Sequence, residues 1–404
     1  MQKNVKKYYL FQFFYAMSFA FVPFYVLFMR DRGLSFAEIG ICASAYYFLF
    51  LVFELPTGVI ADKIGRKKTI ILGTITKMLA ITISLFSFSL FTFVLAELFY
   101  SLSRALQSGV GSAFLYDSLL QLKDEHRYKK VQGVAQAIHL AGNTLSGLLG
   151  GLITFFLNVQ HVYVMAWIMA FFSFLVSISL KESLVKLEIT STITETIKSY
   201  GLHTLNSLRD IAKNKLIIWA IFYSTLIFVL IRANLISLQQ PLLIFLAMPV
   251  FWFGIMDSVV SFGSAIFSYF ADNLEQKIGF KKIFILMPTA CFFSFLGMGF
   301  FHSKIALLFL FMQMIAVGLY TAIVRGFIQK EIKDSTRRAT ILSTESLITR
   351  GGFALYALLL GFILEKFELS SAMYLTSGLA LVGGLISIIS LEFLLKSSLK
   401  ANTT

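Results

Sequence analysis

The feature that most constrains the fold is a series of twelve apolar runs, each long enough to cross a lipid bilayer as a helix. A helix needs about 20 residues to span roughly 30 Å of hydrocarbon. The runs lack the alternation of apolar and polar residues that is typical of barrel strands. The sequence therefore predicts an all-α membrane protein, with spans at 8–29, 36–60, 69–89, 91–121, 131–156, 161–180, 216–237, 241–271, 283–301, 305–329, 339–364 and 370–395.

The basic residues are distributed unevenly between the predicted loops. With a cytoplasmic N-terminus, the loops on that side hold 26 of the 35 Lys and Arg residues, whereas the outer loops hold only Arg30, Arg32, Lys304 and Lys366. This asymmetry follows the positive-inside rule and predicts that both termini are cytoplasmic. The net charge of +14 is then explained by the basic residues of the cytoplasmic loops. Membrane lipid is therefore an expected partner, and nucleic acid is not.

The composition of the chain also limits the classes of function. The sequence has no zinc-protease histidine pair, no phosphate-binding glycine loop and no serine elbow, so we expect no enzyme activity, no metal site and no cofactor. Cys42 and Cys291 fall inside apolar runs, which predicts no disulfide. The first run lacks a clear cleavage site, and we interpret it as a retained helix. The expected location is the inner (plasma) membrane of a bacterial-type cell.

The longest polar gap suggests how the chain is divided. Residues 181–215 are rich in Thr, Ser and Lys, which is typical of a cytoplasmic linker. We therefore predict a six-helix bundle at 1–180, this linker, and a second six-helix bundle at 216–404. The bundles are expected to be pseudo-symmetric, because Ala61-Asp62 with Ile64-Gly65 recurs as Ala271-Asp272 with Ile278-Gly279. Duplicated halves are common in secondary transporters.

The loop after the second span carries the most specific motif. Gly58, Ala61-Asp62 and Gly65-Arg66-Lys67 resemble the loop 2–3 signature of the major facilitator superfamily in residue type, spacing and position. The resemblance implies twelve helices and a gate at the cytoplasmic side, formed by this loop. The expected gating residues are Gly58, Asp62, Gly65, Arg66 and Lys67, with Asp272 and Gly279 in the second copy. Phe280 stands where the second copy would need its arginine.

The fifth predicted helix carries small residues at a regular spacing. Gly142, Ser146-Gly147 and Gly150-Gly151 resemble a motif of drug:proton antiporters within the same superfamily, which favours export. Small residues at this spacing also allow helices to pack closely. Both interpretations stay open at this stage.

Several charged side chains fall inside the predicted spans, where they are costly unless they face a cavity, form pairs or carry function. For Glu54, Lys77, Asp117, Arg232, Arg325 and Glu345 we expect ion pairs or snorkelling toward water. By family resemblance, a central cavity for substrate or protons is expected to include Glu97, Arg104, Gln107, His139, Asn143, Asp257 and Arg350. Tyr15, Tyr223 and Tyr320 are candidates to face it as well.

The favoured function at this stage is proton-coupled export of small amphiphilic molecules by a monomer, with Glu97 or Asp257 exchanging the proton. Arg104 would tune that carboxylate or contact an anionic group on the substrate, and His139 would relay protons. An alternative is uptake of a small polar or anionic metabolite by symport, with Arg104 and Arg350 holding it. A lipid flippase or a receptor without transport is the alternative from another class.

Overall fold

The computed structural model describes residues 2–182, 214–332 and 335–401, and this part of the chain is helical throughout, with no strand. Residues 183–213 of the predicted linker lie outside the described residues. The chain divides into two compact units: one of Met1–Tyr200 with Met248–Val259, and one of Gly201–Ala247 with Val260–Thr404. The predicted boundaries at 181 and 215 stay a prediction.

The described residues of unit 1 form eight helices, and the N-terminal part of a further helix, introduced below, completes it. The eight helices are α1 (Gln2–Met17), α2 (Tyr25–Asp31), α3 (Phe36–Ile64), α4 (Arg66–Leu85), α5 (Leu90–Gln107), α6 (Val110–Leu120), α7 (Tyr128–Phe156) and α8 (Val159–Ser179). Short 3-10 turns occupy Val22–Phe24 and Glu125–Arg127. A buried aromatic group from α1 and α6, including Tyr8, Phe11, Tyr15 and Phe114, lies in the core.

Unit 2 contains the remaining helices. They are α9 (Lys215–Arg232), α10 (Gln239–Phe245), α11 (Phe251–Tyr269), α12 (Ala271–Ile278), α13 (Phe280–Phe300), α14 (Ala306–Leu310), α15 (Gln313–Leu319), α16 (Gly326–Glu331), α17 (Ser335–Lys366) and α18 (Leu369–Ala401). The N-terminal part of α11 belongs to unit 1. Two π-helical segments, Ala233–Leu238 and Tyr320–Arg325, interrupt the α-helical pattern. Such segments are frequent at functional sites.

Eleven helices within the described residues are long and apolar enough to cross a membrane. They correspond to eleven of the twelve predicted spans, and the one without a counterpart is 91–121. The structure divides that span into α5 and α6 at Ser108 and Gly109, where Gly109 has φ +73°. Gly111 lies on α6, and because of the break it does not continue the helix face on which Glu97 and Arg104 lie in α5. Twelve crossings and cytoplasmic termini stay predictions.

Candidate functional site

The loop between α3 and α4 is held by charges inside unit 1. Arg66 forms an ion pair with Asp62 at 2.7 Å and a longer one with Asp117 of α6 at 3.9 Å. Glu182, which follows α8, accepts a hydrogen bond from the backbone N–H of Lys67 at 3.1 Å. The motif residues thus connect the ends of four helices, and the expectation that Asp117 forms an ion pair is met.

Asn4 adds a second connection at the same end of the unit. Its amide group donates to the Ser118 hydroxyl of α6 and to the Lys181 carbonyl, and its oxygen accepts from the Lys181 N–H. Neither Asn4 nor Glu182 was expected from the sequence, because nothing in the pattern indicates which helix ends meet.

Gly65 has a backbone conformation that other residues rarely adopt, with φ +96° and ψ 154°. A methyl group at this position would also meet the Glu182 carboxylate. We expect Gly65→Ala to lower the free energy of unfolding by about 1 to 3 kcal/mol. Gly58→Ala is the matched control, because Gly58 lies in helix α3 with open space around its Cα, and it should be neutral or slightly stabilising. Thermal melting of the two purified variants tests this, and equal melting temperatures would contradict it.

The second copy of the motif repeats the turn but not the charges. Gly279 has φ +82° and ψ 148°, close to Gly65, and it also separates a helix ending in Ile from the next helix. Asp272 forms no ion pair within the described part of the chain. Phe280 occupies the arginine position and stacks on Phe327 of α16. The two copies therefore share the backbone turn, but the second copy has no arginine to form the ion pairs of the first.

The small residues of α7 lie against two neighbouring helices in unit 1. A methyl group at Gly142 would meet Ala16 and the Phe13 carbonyl of α1, and one at Gly150 would meet Phe24 and Ala20. Gly147 and Gly151 face Gly254, Ser258 and the Phe251 carbonyl of α11, and the Ser258 hydroxyl donates to the Thr144 carbonyl at 2.9 Å. Ser146 is buried and bonds to its own helix. The four glycines therefore serve close helix packing.

A basic cluster lies between α1, α4 and α5. Lys77 is 1% exposed, and its ammonium group donates to the Tyr15 carbonyl at 3.3 Å and lies 4.1 Å from the centre of the Tyr15 ring. Arg104 is exposed, and its electrostatic neighbours are the phenols of Tyr15, Tyr46 and Tyr47 together with the Lys77 ammonium. The expectation that Lys77 forms an ion pair or reaches water was wrong, since it does neither within the described residues.

His139 extends this cluster from α7. Its Nδ1 lies 3.1 Å from the Gln12 amide oxygen, and its ring centre is 6.3 Å from that of Tyr15. Its charged neighbours are Arg104 and Lys77. Asn143, one turn further along α7, is half-buried, with its side-chain oxygen unpaired among the described residues.

Gln107, the remaining residue predicted for this region, serves a helix contact. Its amide donates to the Ile70 carbonyl of α4 at 3.0 Å, and it lies against Gly73. The structure therefore brings His139 and Arg104 together as expected, whereas Gln107 belongs to the packing between α4 and α5.

The two carboxylates that were expected to carry the proton lie apart from Arg104. Glu97 is 4% exposed and its electrostatic neighbours are the phenols of Tyr25, Tyr100 and Tyr163. Asp257 of α11 is half-buried. Neither forms an ion pair within the described part of the chain, so Arg104 is not placed to tune either of them.

Unit 2 contains a polar cluster around Glu345 of α17, which is 0% exposed. Its carboxylate accepts hydrogen bonds from the Ser224 hydroxyl of α9 at 2.5 Å and from the Tyr320 hydroxyl at 3.3 Å. Arg325 pairs with it at 3.6 Å. Tyr320 and Arg325 are the first and last residues of one π-helical segment. The expected ion pairing of Glu345 and Arg325 is confirmed.

The other residues singled out in unit 2 have simpler surroundings. Arg350 donates to the Ser346 hydroxyl one turn earlier on α17. Tyr223 is fully buried and donates to the Phe284 carbonyl at 2.8 Å, so it packs inside the unit. Arg232 lies over the Phe228 ring. Among the residues that the structure describes, no cluster of His, Cys, Asp and Glu suits a metal ion.

Comparisons with known proteins agree with this architecture. The sequence profile of the Major Facilitator Superfamily matches residues 8–253. A curated relative, "Uncharacterized transporter BU466" of Buchnera aphidicola subsp. Acyrthosiphon pisum (strain APS), is 31% identical over 147 residues, 36% of this chain and 35% of that protein. The aligned segment thus spans only about a third of the relative's length.

Solved structures give the same fold over nearly the whole chain. The nucleoside transporter NupG superposes with a TM-score of 0.78 at 15% identity, covering 96% of this chain and 98% of that one. A D-xylose-proton symporter superposes with a TM-score of 0.72 at 14% identity, covering 95% and 96%. Identities this low establish the fold alone. The fold and the matched profile together show that this integral membrane protein belongs to the major facilitator superfamily of transporters.

Proposed function

We propose that the chain is a proton-coupled secondary transporter that moves a small polar solute by alternating access, with Glu345 as the residue that takes up and releases the coupling proton. Uphill transport of a solute through this fold can be driven by an ion gradient. Protons are compatible with this fold, since a D-xylose-proton symporter shares it.

The observation that carries the proposal is the set of partners around Glu345. As a carboxylate it accepts from Ser224 and Tyr320 and is neutralised by Arg325. Once protonated, its O–H has the same hydroxyl oxygens within reach as acceptors. The pair with Arg325 would then weaken, because its attraction depends on the negative charge. Both protonation states can therefore be satisfied, and the change between them alters a contact made by the π-helical segment.

The spacing of small residues in α7 was one support for export of amphiphilic molecules, beside the carboxylates within the spans. In the structure, Gly142 and Gly150 approach α1 and its continuation, and Gly147 and Gly151 approach α11. Close packing accounts for the spacing without an antiport mechanism. A polar solute suits the hydroxyl, amide and cationic groups around Tyr15 better than an amphiphile does.

The test uses purified protein in liposomes that contain a pH-sensitive dye. Pairs of neutral and charged solutes are added in turn: uridine and uridine monophosphate, glucose and glucose 6-phosphate, succinamide and succinate. We expect one class of solute to drive proton movement in wild type. Glu345→Gln should abolish solute-driven proton movement while keeping solute exchange across the membrane, because exchange needs no net proton transfer.

Glu365→Gln is the matched control, since Glu365 lies on the same helix and is exposed. It should behave as wild type. Glu97→Gln and Asp257→Asn are measured in parallel as the competing carriers. If Glu345→Gln kept full proton movement while Glu97→Gln or Asp257→Asn lost it, the assignment to Glu345 would be refuted. The proton carrier would then be the carboxylate whose replacement abolished proton movement.

A further inference from the structure

We propose that Lys77 and Arg104 form a binding site for an anionic group, a carboxylate or a phosphate, on the transported solute. This inference rests on the proposed function, which leaves the charge of the solute open. The site lies within unit 1 and is built by α4 and α5 around Tyr15 of α1.

Lys77 is a buried cation without an anionic partner. It is 1% exposed, and within the described residues it forms no ion pair with a carboxylate. Its contacts are the Tyr15 carbonyl and the faces of the Tyr15 and Phe19 rings. These contacts orient the ammonium group, but a carbonyl and two rings carry no formal charge to neutralise it.

Arg104 places a second cation beside the first. Its neighbours are three tyrosine phenols and the Lys77 ammonium, and within the described residues no carboxylate pairs with it. The Tyr15 phenol lies beside the Arg104 guanidinium, so Lys77 and Arg104 both contact the same tyrosine. Arg104 is an exposed residue, so a solute can reach its side chain.

The surroundings add no negative charge to the cluster. His139, from α7, has Arg104 and Lys77 as its charged neighbours, and its Nδ1 faces Gln12. Glu97, the buried carboxylate of α5, lies among Tyr25, Tyr100 and Tyr163 instead. Among the described residues around the cluster, the charges of Lys77 and Arg104 are therefore not balanced by a carboxylate.

Two adjacent cations at this depth are costly because water cannot solvate Lys77 and because like charges repel. A bound anion removes both penalties at once. Arg recognises planar carboxylate and phosphate oxygens through paired N–H groups, and Lys supplies a point charge beside it. The same field would repel a lipophilic cation, so the site selects against the substrates of a general cation exporter.

The test is a melting titration in detergent with sodium sulfate, sodium phosphate or citrate at constant ionic strength set with sodium chloride. Wild type should melt higher with a saturable dependence on the anion. Lys77→Met and Arg104→Gln should each shift the midpoint of that dependence at least about tenfold, as expected for loss of a charged hydrogen-bonding partner. Lys129→Met is the matched control, since Lys129 is an exposed lysine of the same unit, and it should respond as wild type does.

Lys77→Met should also melt no lower than wild type without anions, because it removes the repulsion between the two cations. Arg104→Gln keeps the test valid if Lys77→Met fails to fold, since Arg104 is exposed. Sulfate stabilises folded proteins in general, without saturation. If wild type and the three variants showed only this equal, unsaturable rise in melting temperature, the proposed anion site would be refuted. Glu345→Gln should respond to anions as wild type does, so failure of proton coupling and failure of this site are distinguishable.

Discussion

Replacing Gly254 by alanine is expected to destabilise the protein strongly, although the change adds a single methyl group. The new Cβ would overlap the Gly147 carbonyl oxygen and the Gly151 N–H of α7. Both are backbone atoms of a helix, so they cannot rotate away as a side chain would, and α11 has to move. Overpacking of this kind costs about 1 to 3 kcal/mol and occasionally more. The loss is measured as a lower melting temperature and a lower yield of monodisperse protein.

Gly133→Ala is the matched control for this change, because Gly133 lies on α7 itself with no atom near its Cα. Alanine favours a helix over glycine by about 1 kcal/mol, so this variant should melt at or above wild type. Replacing glycine by alanine is therefore expected to lower the melting temperature at position 254 and to keep or raise it at position 133. If Gly254→Ala melted as high as Gly133→Ala, the close approach of α7 and α11 within unit 1 would be wrong.

Most membrane-spanning helices were predictable because a helix that crosses a bilayer must be a long run of apolar residues. Such runs can be found directly in the sequence. Eleven runs have a helical counterpart. The break at Ser108 and Gly109 was missed because the apolar run continues through it, although a Ser-Gly pair followed by Gly111 is a signal for a turn or kink. The π-helical segments were missed for the same reason: Tyr320 and Arg325 are placed by a local change in backbone hydrogen bonding that leaves no periodic signature.

The candidate site was predicted in its residue types and less well in its contacts. Arg104 and His139 were expected to share a cavity by family resemblance, and Arg104 is an electrostatic neighbour of His139 in the structure. Lys77 was expected to form an ion pair or to snorkel toward water, since a cation within a span is costly without either. Which helix faces which depends on packing, and no count along the chain shows that Lys77 points at Tyr15 rather than at a carboxylate.

Neutralising Arg66 is expected to affect both stability and transport, because one side chain pairs with two carboxylates on different helices. Its partners Asp62 and Asp117 are partly shielded, with 27% and 17% of their side-chain surfaces exposed. Arg66→Gln leaves both charges unpaired near Glu182, and we expect a loss of about 1 to 2 kcal/mol, between the values for exposed and buried pairs. By its resemblance to the superfamily signature this loop is expected to act as a gate, and we propose that the same pairs also favour one transport state over the other. A shift of about 1.4 kcal/mol between two such states changes their ratio tenfold, and a fall in transport of up to about that factor is the expected result.

The duplication of the motif supplies the control for Arg66. Asp62→Asn in the Arg66→Gln background removes one of the two unpaired charges, so the double variant should recover part of the lost melting temperature. Together with the two single variants it forms a double-mutant cycle, which gives the coupling energy between Arg66 and Asp62. Asp272→Asn, the equivalent change in the second copy, should have little effect on stability or transport, because Phe280 replaces the arginine and Asp272 forms no ion pair within the described residues. Equal losses from Asp62→Asn and Asp272→Asn would mean that the two loops act through their shared backbone turn, and that the charges of the first copy contribute nothing of their own.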